Sequence, residues 1–458
     1  MVLRDLFSIG QSGLRASQLG VRTASENVAN VNTPGYSRRG LVLRPSRVTS
    51  IGALRIGAGV EPIGTSRILD ATLDARVRSA GSRSAGSTAQ SNVLAQAGVI
   101  FGDLEGSGAT AALDEFFAAL DLLASGPQDA AARSNVLAAA SRFTETVNQY
   151  ATEISSIQEG LTPEIEAQVQ SVNRIASSLA ELNRQIASES APSNDLLDRR
   201  DQLLVELSEV VDFQVVELDN GGVNLILEGG YALLTDQVVN PLRTTNDNGL
   251  VGVEGLEAGV SRDLTGRLRS GSLGGLLRVR DEDLAQSLTE LDRFVFDLAN
   301  EFNLRHRAGF GLDGTGGRDF FVPLSGVEGA ARSLSIDPGL DEDGLAAASD
   351  PTLVPGDNTN ALSLAALRVD PLAGGSASPE ALRGVIQSFS DRAFSARDRA
   401  DGDSLAAEQL SGLRQAISGV SVDEELTTIL QFQQSFQAAA SIIRTADELT
   451  QEIILLKR

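Results

Sequence analysis

The first 31 residues carry the pattern that most constrains the fold of this chain. Apolar and small residues recur at alternating steps of four and three, the heptad spacing of a helix packed along one seam. The positions with this spacing are Leu3, Phe7, Gly10, Leu14, Ser17, Val21, Ala24, Val28 and Val31. Gly10, Ser17 and Ala24 stand where Leu or Ile would normally fill the groove, so another helix is expected to come very close.

The helix is predicted to stop at the sequence Thr33-Pro34-Gly35-Tyr36. Pro34 moves Thr33 out of the helical region. Pro-Gly suits the central pair of a type II turn, in which Gly35 supplies the positive φ. We therefore predict one helix of about 29 residues, then a sharp turn, then extended chain from Tyr36.

The stretch from Ser421 to Arg458 predicts a second long helix, because it contains neither Pro nor Gly. Ser421 and Glu424 have the spacing of a capping box, and acids in the first turn suit the positive end of a helix. Two adjacent apolar stripes make an arc too wide for one partner, so neighbours are expected on two sides. The candidate contact residues in these stripes are Leu426, Ile429, Phe432, Phe436, Ile442, Ile443, Leu449 and Ile453.

Both ends resemble the bacterial flagellar axial proteins, a group that comprises rod, hook and first hook-filament junction proteins. In that group an Asn-rich helix end runs into Thr-Pro-Gly-Tyr, and the C-terminal helix begins with Val-Asp-Glu-Glu. Phe436 stands where the family often has Tyr. The matching N-terminal residues are Asn27, Ala29, Asn30, Val31, Asn32, Thr33, Pro34, Gly35 and Tyr36.

The middle of the chain narrows this resemblance to the hook-associated protein 1 family. Residues 194–207, NDLLDRRDQLLVEL, resemble a segment of that family which rod and hook proteins lack. Residues 271–284, 291–321 and 356–361 resemble it too. In many members a β-rich domain follows the Phe-Phe pair, but here Phe320-Phe321 runs to Ala330 with little between. We therefore expect that outer domain to be absent.

The fold class is predicted to be mainly α, a long-helix bundle built from both chain ends with small inserted β-hairpin regions. Alternation over residues 211–227 predicts one hairpin. Pro163 either kinks a long helix or starts a second one. A chain of 458 residues is expected to have more than one domain. These are 1–67 together with 419–458 as a terminal helical inner domain, and 68–418 as an outer bundle with β pieces near 208–265 and 310–350.

Charge and hydropathy exclude several classes of partner. The net charge of −23 argues against nucleic-acid binding. No run of 18 apolar residues occurs, so no membrane span is expected, and the amphipathic N-terminus argues against a cleaved signal peptide. Residues 1–60 hold eight arginines and two acids. This basic segment is either a solvated face or a surface that packs against acidic neighbours.

No catalytic, cofactor-binding or metal-binding set is predicted. The absence of cysteine excludes thiol chemistry, and the single histidine, His306, is expected to cap or pack at a helix end. Aspartates 195, 198 and 201 share a helix face, but arginines 199 and 200 are interleaved. We therefore expect surface pairs such as Asp195 with Arg199, and not an acid–base or metal site.

The resemblance implies a non-enzymatic, self-assembling structural protein of the flagellar hook-filament junction, extracellular and exported without a cleaved signal peptide. It implies as partners further copies in a ring layer, the hook protein, the second junction protein, a cytoplasmic export chaperone on the C-terminal helix, and the flagellar export apparatus. The alternatives are a hook or distal-rod axial protein, which residues 194–207 argue against, and an acidic extracellular hydrolase.

The N-terminal seam is the other predicted assembly surface. We expect Gly10 and Ala24 to face helices of the assembled layer, so that Gly10→Leu leaves an isolated monomer unchanged or slightly stabilised. The predicted N-terminal interface residues are Leu3, Phe7, Gly10, Leu14, Val21, Ala24, Val28, Asn30, Thr33, Pro34, Gly35 and Tyr36.

Overall fold

The computed structural model of this chain is mainly α with small antiparallel sheets, which confirms the predicted fold class. It describes residues 2–46, 49–51, 54–101, 108–189, 192–247, 249–257 and 259–456. The helices are α1 (Val2–Ala29), α2 (Ala71–Phe101), α3 (Ala109–Ser125), α4 (Ala130–Gly160), α5 (Thr162–Ser188), α6 (Asn194–Val210), α7 (Gly271–Arg278), α8 (Ala285–Ala308), α9 (Ala330–Ser333), α10 (Thr359–Ala365), α11 (Ser378–Ser418) and α12 (Val422–Leu456). The strands are β1 (Arg39–Pro45), β2 (Thr49–Ile51), β3 (Leu54–Ile56), β4 (Val60–Arg67), β5 (Phe213–Glu217), β6 (Val223–Leu227), β7 (Tyr231–Thr235), β8 (Val238–Val239), β9 (Leu242–Asp247), β10 (Leu250–Glu257) and β11 (Val260–Asp263).

The two ends of the chain lie together. Helices α1 and α12 pack antiparallel over much of their length, and we call them the terminal helix pair. The predicted turn follows α1: the Tyr36 amide donates to the Thr33 carbonyl at 3.2 Å, and Gly35 has φ of 78°. Strands β1 and β4 then form an antiparallel ribbon that lies against α1. They pair from Arg39↔Arg67 to Pro45↔Val60, with one shift of register between Val42 and Leu43.

A second antiparallel pair, α2 with α11, leads away from the chain ends. Arg414 Nε lies 2.6 Å from Asp74 Oδ1 near one end, and Gly98 lies beside Phe389 near the other. The chain leaves α11 at Ser418 and enters α12 at Val422. This short link places the start of α12 beside the end of α11.

The helix around Pro163 continues without a loop. Leu161, between α4 and α5, keeps right-handed helical angles of −76° and −15°. Its amide donates to the Ile157 carbonyl at 3.2 Å, and its carbonyl accepts from the Ile165 amide at 3.0 Å. Pro163 therefore interrupts the hydrogen-bond ladder inside one rod and does not begin a returning helix.

The β structure is concentrated in residues 213–263. Strands β5 to β8 form a meander, and β5 pairs with β6 from Phe213↔Leu227 to Glu217↔Val223, as the alternation predicted. Strands β9 to β11 form a second sheet in the order β11-β10-β9. Residues 310–350 hold isolated bridges such as Phe310↔Ala348 where β pieces were expected.

The apolar core lies in the part of the chain from α2 to α11, which we call the body. An aromatic cluster joins α3, α4 and α8 to the loop after α8, with ring centroids 4.7 to 6.5 Å apart. Its members are Phe116, Phe117, Phe143, Phe302, Phe320 and Phe321. The Phe320 carbonyl also accepts from the Asp337 amide at 2.9 Å, which closes the short loop where a further domain could be inserted.

His306 sits fully buried in the last turn of α8, as predicted. Its Nδ1 donates to the Arg318 carbonyl at 2.9 Å, and its Nε2 accepts from the Ala346 amide at 3.0 Å. Both ring nitrogens are therefore satisfied in the neutral imidazole, and burial lowers the pKa of His306.

Because burial lowers the pKa of His306, the stability of the chain is expected to depend on pH. Its unfolded form takes up a proton near its ordinary pKa of about 6.5, whereas the folded form resists protonation. The free energy of unfolding should therefore fall as the pH drops below about 6.5. Urea unfolding at pH 7.5 and 5.5 should show a larger loss for the native chain than for His306→Gln, which cannot titrate. Equal losses in the two proteins would contradict the assignment.

Candidate assembly interface

Glycines set the distance between the terminal helices. A Cβ atom added to Gly10 would lie 2.5 Å from Ile443 Cγ1 and 3.3 Å from the Ala439 carbonyl oxygen. One added to Gly20 would lie 2.5 Å from the ring of Phe432. Since real Cβ atoms do not approach other atoms this closely, the two helices meet at a separation that only glycine allows.

The helix that occupies this seam belongs to the same chain. Gly10 and Ala24 are buried, and Gly10 contacts α12, so the expectation that Gly10→Leu leaves a monomer unaffected is wrong. The heptad spacing showed that a close partner exists, but spacing carries no information on which helix it is. Ala16 and Gly20 are also buried, and Gly13 is half-buried against Ala439. The four-and-three spacing had left out all three.

The remaining predicted N-terminal residues are less enclosed. Their contact with neighbouring subunits stays a prediction, because the single chain leaves them at least partly accessible. Half-buried are Leu3, Phe7, Leu14, Val21, Val28, Asn30 and Tyr36, and exposed are Thr33, Pro34 and Gly35.

Helix α12 retains an uncovered apolar surface beside the face that meets α1. Ile442, Leu449 and Ile453 are 38%, 41% and 52% exposed, and their spacing of seven and four places them along one flank of the helix. Leu426 and Phe436 are exposed elsewhere on α12, whereas Ile429, Phe432 and Ile443 are half-buried. We call Ile442, Leu449 and Ile453 the α12 flank.

A polar cluster closes the base of the terminal helix pair. The Asn27 side chain is fully buried, and its Oδ1 accepts from the Tyr36 hydroxyl at 2.8 Å and from the Arg39 amide at 3.0 Å. Its Nδ2 donates to the Arg39 carbonyl at 2.9 Å and to Glu425 Oε2 at 3.0 Å. One amide thus joins α1, the turn, β1 and α12, and uses its full hydrogen-bonding capacity.

Arg38 neutralises the acids at the start of α12. Its Nε lies 2.6 Å from Glu425 Oε1, and its Nη1 lies 2.7 Å from Glu424 Oε2. The carboxylate of Glu424, predicted to close a capping box with Ser421, therefore binds Arg38. The backbone amide of Arg38 also donates to the Ser418 carbonyl at 3.0 Å. Through the ion pairs of Arg38, the basic N-terminal segment packs against acids at this point.

The aspartates of α6 also bind arginines from the N-terminal segment. Asp198 lies between Arg39 Nη2, at 3.3 Å, and Arg67 Nη1, at 3.2 Å. Asp201 Oδ2 lies 2.6 Å from Arg67 Nη1, and Asp195 also pairs with Arg39. These contacts replace the surface pairs expected within the helix. Among the described residues, no group of three or more His, Asp or Glu side chains is placed to hold a metal ion.

The close contact between Gly10 and α12 can be tested by substitution. Gly10→Ala should destabilise the terminal helix pair by about 1–3 kcal/mol, because the added methyl group meets the backbone of Ala439 as well as Ile443. Gly412→Ala, on α11, is the matched control: nothing lies within 4 Å of its added Cβ, so it should stabilise by up to ~1 kcal/mol. Amide hydrogen exchange along α12 measures the first effect. Slower exchange in Gly10→Ala would show that the seam is not packed.

Three family models match the chain in the order of its elements. "Flagella basal body rod protein" matches residues 7–36, which cover α1 and the turn. "Flagellar hook-associated protein FlgK helical domain" matches residues 94–321, and "Flagellar basal body rod FlgEFG protein C-terminal" matches residues 414–456. Of the helices in the described residues, none is long and apolar enough to cross a membrane.

Relatives support the same assignment. Flagellar hook-associated protein 1 of Salmonella typhimurium is 31% identical over 357 residues, or 73% of this chain, and the match spans 63% of that protein's length. Its counterpart in Bacillus subtilis is 28% identical over 96% of both chains. The flagellar hook junction protein FlgK of Burkholderia pseudomallei has the same fold, with a TM-score of 0.68 and 16% identity, covering 75% of this chain and 100% of that one. The chain belongs to the flagellar hook-associated protein 1 (FlgK) family.

Proposed function

We propose that this chain is a structural, self-assembling axial protein of the bacterial flagellum that forms the junction between hook and filament. The observation that carries the proposal is the α12 flank, a row of large aliphatic side chains left open on a long helix. Soluble monomers rarely leave such rows in water, and contiguous apolar surface marks a site of association.

The form of the assembly follows from the position of this flank. It lies beside the α1–α12 contact, so a neighbouring copy that covers it also extends the helix packing already present within one chain. A contact between two different surfaces of identical chains repeats around a ring or along a helix. A layer built in this way has terminal helices inside and the body outside.

The inner layer in this proposal consists of residues 1–67 together with 419–458, and the outer layer of residues 68–418. The family's further outer β-domain would be missing, because residues 322–335 form a short loop closed between Phe321 and Ile336. The N-terminal turn residues Thr33, Pro34 and Gly35 are exposed, as a contact with the next subunit requires.

The partners and location follow from the same proposal. Further copies lie in the ring, the hook protein and the second junction protein are axial neighbours, and a cytoplasmic chaperone covers α12 before the chain enters the export apparatus. The protein acts outside the cell without a cleaved signal peptide and without catalysis. A hook or distal-rod role is less favoured, because the family model over residues 94–321 is that of the FlgK helical domain.

The α12 flank gives the test of this function. Leu449→Ser with Ile453→Ser should abolish or strongly reduce filaments on cells, because the change removes apolar contact area between subunits. Leu304→Ser with Val369→Ser changes side chains that are also exposed, at 62% and 75%, but lie on the body.

Counting filaments per cell by electron microscopy compares the two variants, and circular dichroism of the purified chains checks folding. The proposal expects normal filament numbers for the body variant. Normal filament numbers for the flank variant would contradict it.

A further inference from the structure

We propose that the acidic face of α6 is a latch that holds the terminal helix pair in one direction relative to the body. The latch consists of Arg39 and Arg67, at the base of the β1–β4 ribbon, and of Asp198 and Asp201 on α6. The geometric part of the proposal stands alone, and its consequence for assembly rests on the proposed function.

The contacts of the latch are close and largely shielded from water. Arg67 Nη1 lies 3.2 Å from Asp198 and 2.6 Å from Asp201, and its side chain is 9% exposed. Arg39 Nη2 lies 3.3 Å from the other oxygen of Asp198, whose side chain is 10% exposed. Two arginines thus bind opposite oxygens of one carboxylate, which fixes both the distance and the angle between ribbon and helix.

Asp201 is itself held in place from the body side. Arg200 Nη2 lies 2.8 Å from Asp201 Oδ1, and Arg200 Nη1 donates to the Gly221 carbonyl at 2.8 Å. Gly221 belongs to the turn between β5 and β6. Arg200 therefore orients the Asp201 carboxylate from the body side, and the carboxylate is in position to bind Arg67.

The apolar core of the described residues does not extend to the terminal helix pair. The extensive contacts of α1 are with α12, β1 and β4, and those of α12 are with α1. The core cluster draws its members from residues 93–396 and includes none from α1 or α12. A further polar contact between ribbon and α6 joins Asn194 Nδ2 to Thr65 Oγ1 at 3.1 Å.

The latch gives a role to Asp198, Arg200 and Asp201 within residues 194–207. Separating the partners of a buried ion pair leaves uncompensated charges. The latch therefore disfavours other orientations of the terminal helix pair relative to the body. A terminal helix pair that already points in the required direction loses less freedom when neighbouring subunits bind it. The segment thereby acts as a positioning element for assembly.

A disulfide reporter tests the latch in the full chain, which has no cysteine of its own. Thr65→Cys with Asn194→Cys places one thiol on each side of the joint, at side chains that touch. The latch variant is Asp198→Asn with Asp201→Asn, and the matched control is Glu206→Gln with Glu209→Gln. These two glutamates lie on the same helix, are exposed, and give the same change of charge.

The latch variant should form the disulfide slower by about tenfold or more, because the effective concentration of the thiols falls when the joint opens. The control should match the parent chain. Equal rates in the latch variant and the parent overturn the latch. Circular dichroism shows whether the body of each variant is folded. If the body of the latch variant does not fold, Arg67→Gln is used in its place, because it removes the ion pairs of both aspartates with Arg67 from the ribbon side.

Filament counts test the role in assembly. The latch variant should carry fewer filaments, and oxidation of the thiols at 65 and 194 to a disulfide before assembly should restore them. Normal filament numbers in a latch variant whose disulfide forms slowly overturn the positioning role. Failure of the proposed function gives a different result, since the α12 flank variant then also assembles normally.

Discussion

The close contact between α1 and α12 is the interaction on which the arrangement of the chain ends depends. Helices in proteins gain most of their stability from packing against a partner. Gly10 and Gly20 allow Ile443 and Phe432 to reach the backbone of α1, so two helices from opposite ends of the sequence become one antiparallel pair. This packing leaves one flank of α12 open, and in the proposed function that flank binds the next copy of the chain.

Polar contacts then give this pair a direction. Apolar packing permits sliding and rotation, whereas hydrogen bonds with fixed geometry do not. Asn27 and Glu425 close the base of the pair, and Arg38 links that base to the end of α11. The ion pairs of Arg67 continue the connection to α6. Asn27 and Glu425 in this joint are buried, and loss of a partner from a buried group costs more than loss of an exposed pair.

The sequence predicted those features that depend on neighbouring residues. The limits of α1, the turn at Gly35 and the hairpin of β5 with β6 follow from periodicity and turn chemistry, and all three are confirmed. Long-range pairings could not be predicted in the same way. A small seam residue predicts a close helix but does not say which one, so the effect of Gly10→Leu on a monomer was predicted wrongly. The four-and-three spacing left Asn27 out of the seam, and only the fold shows that its side chain is buried and bound to Glu425, 398 positions away.

The central claim is that the two ends of one chain pack together along the glycine seam. An added Cβ on Gly13 would lie 3.2 Å from Ala439 Cβ. Disulfides have Cβ–Cβ separations of about 3.5–4.5 Å, so a shift of a few tenths of an ångström between the helices allows the bond. The direct measurement is mild oxidation of the purified Gly13→Cys/Ala439→Cys monomer, followed by mass spectrometry of its peptides. The account predicts rapid formation of one disulfide within each chain. Free thiols, or disulfides formed only between chains, would contradict it.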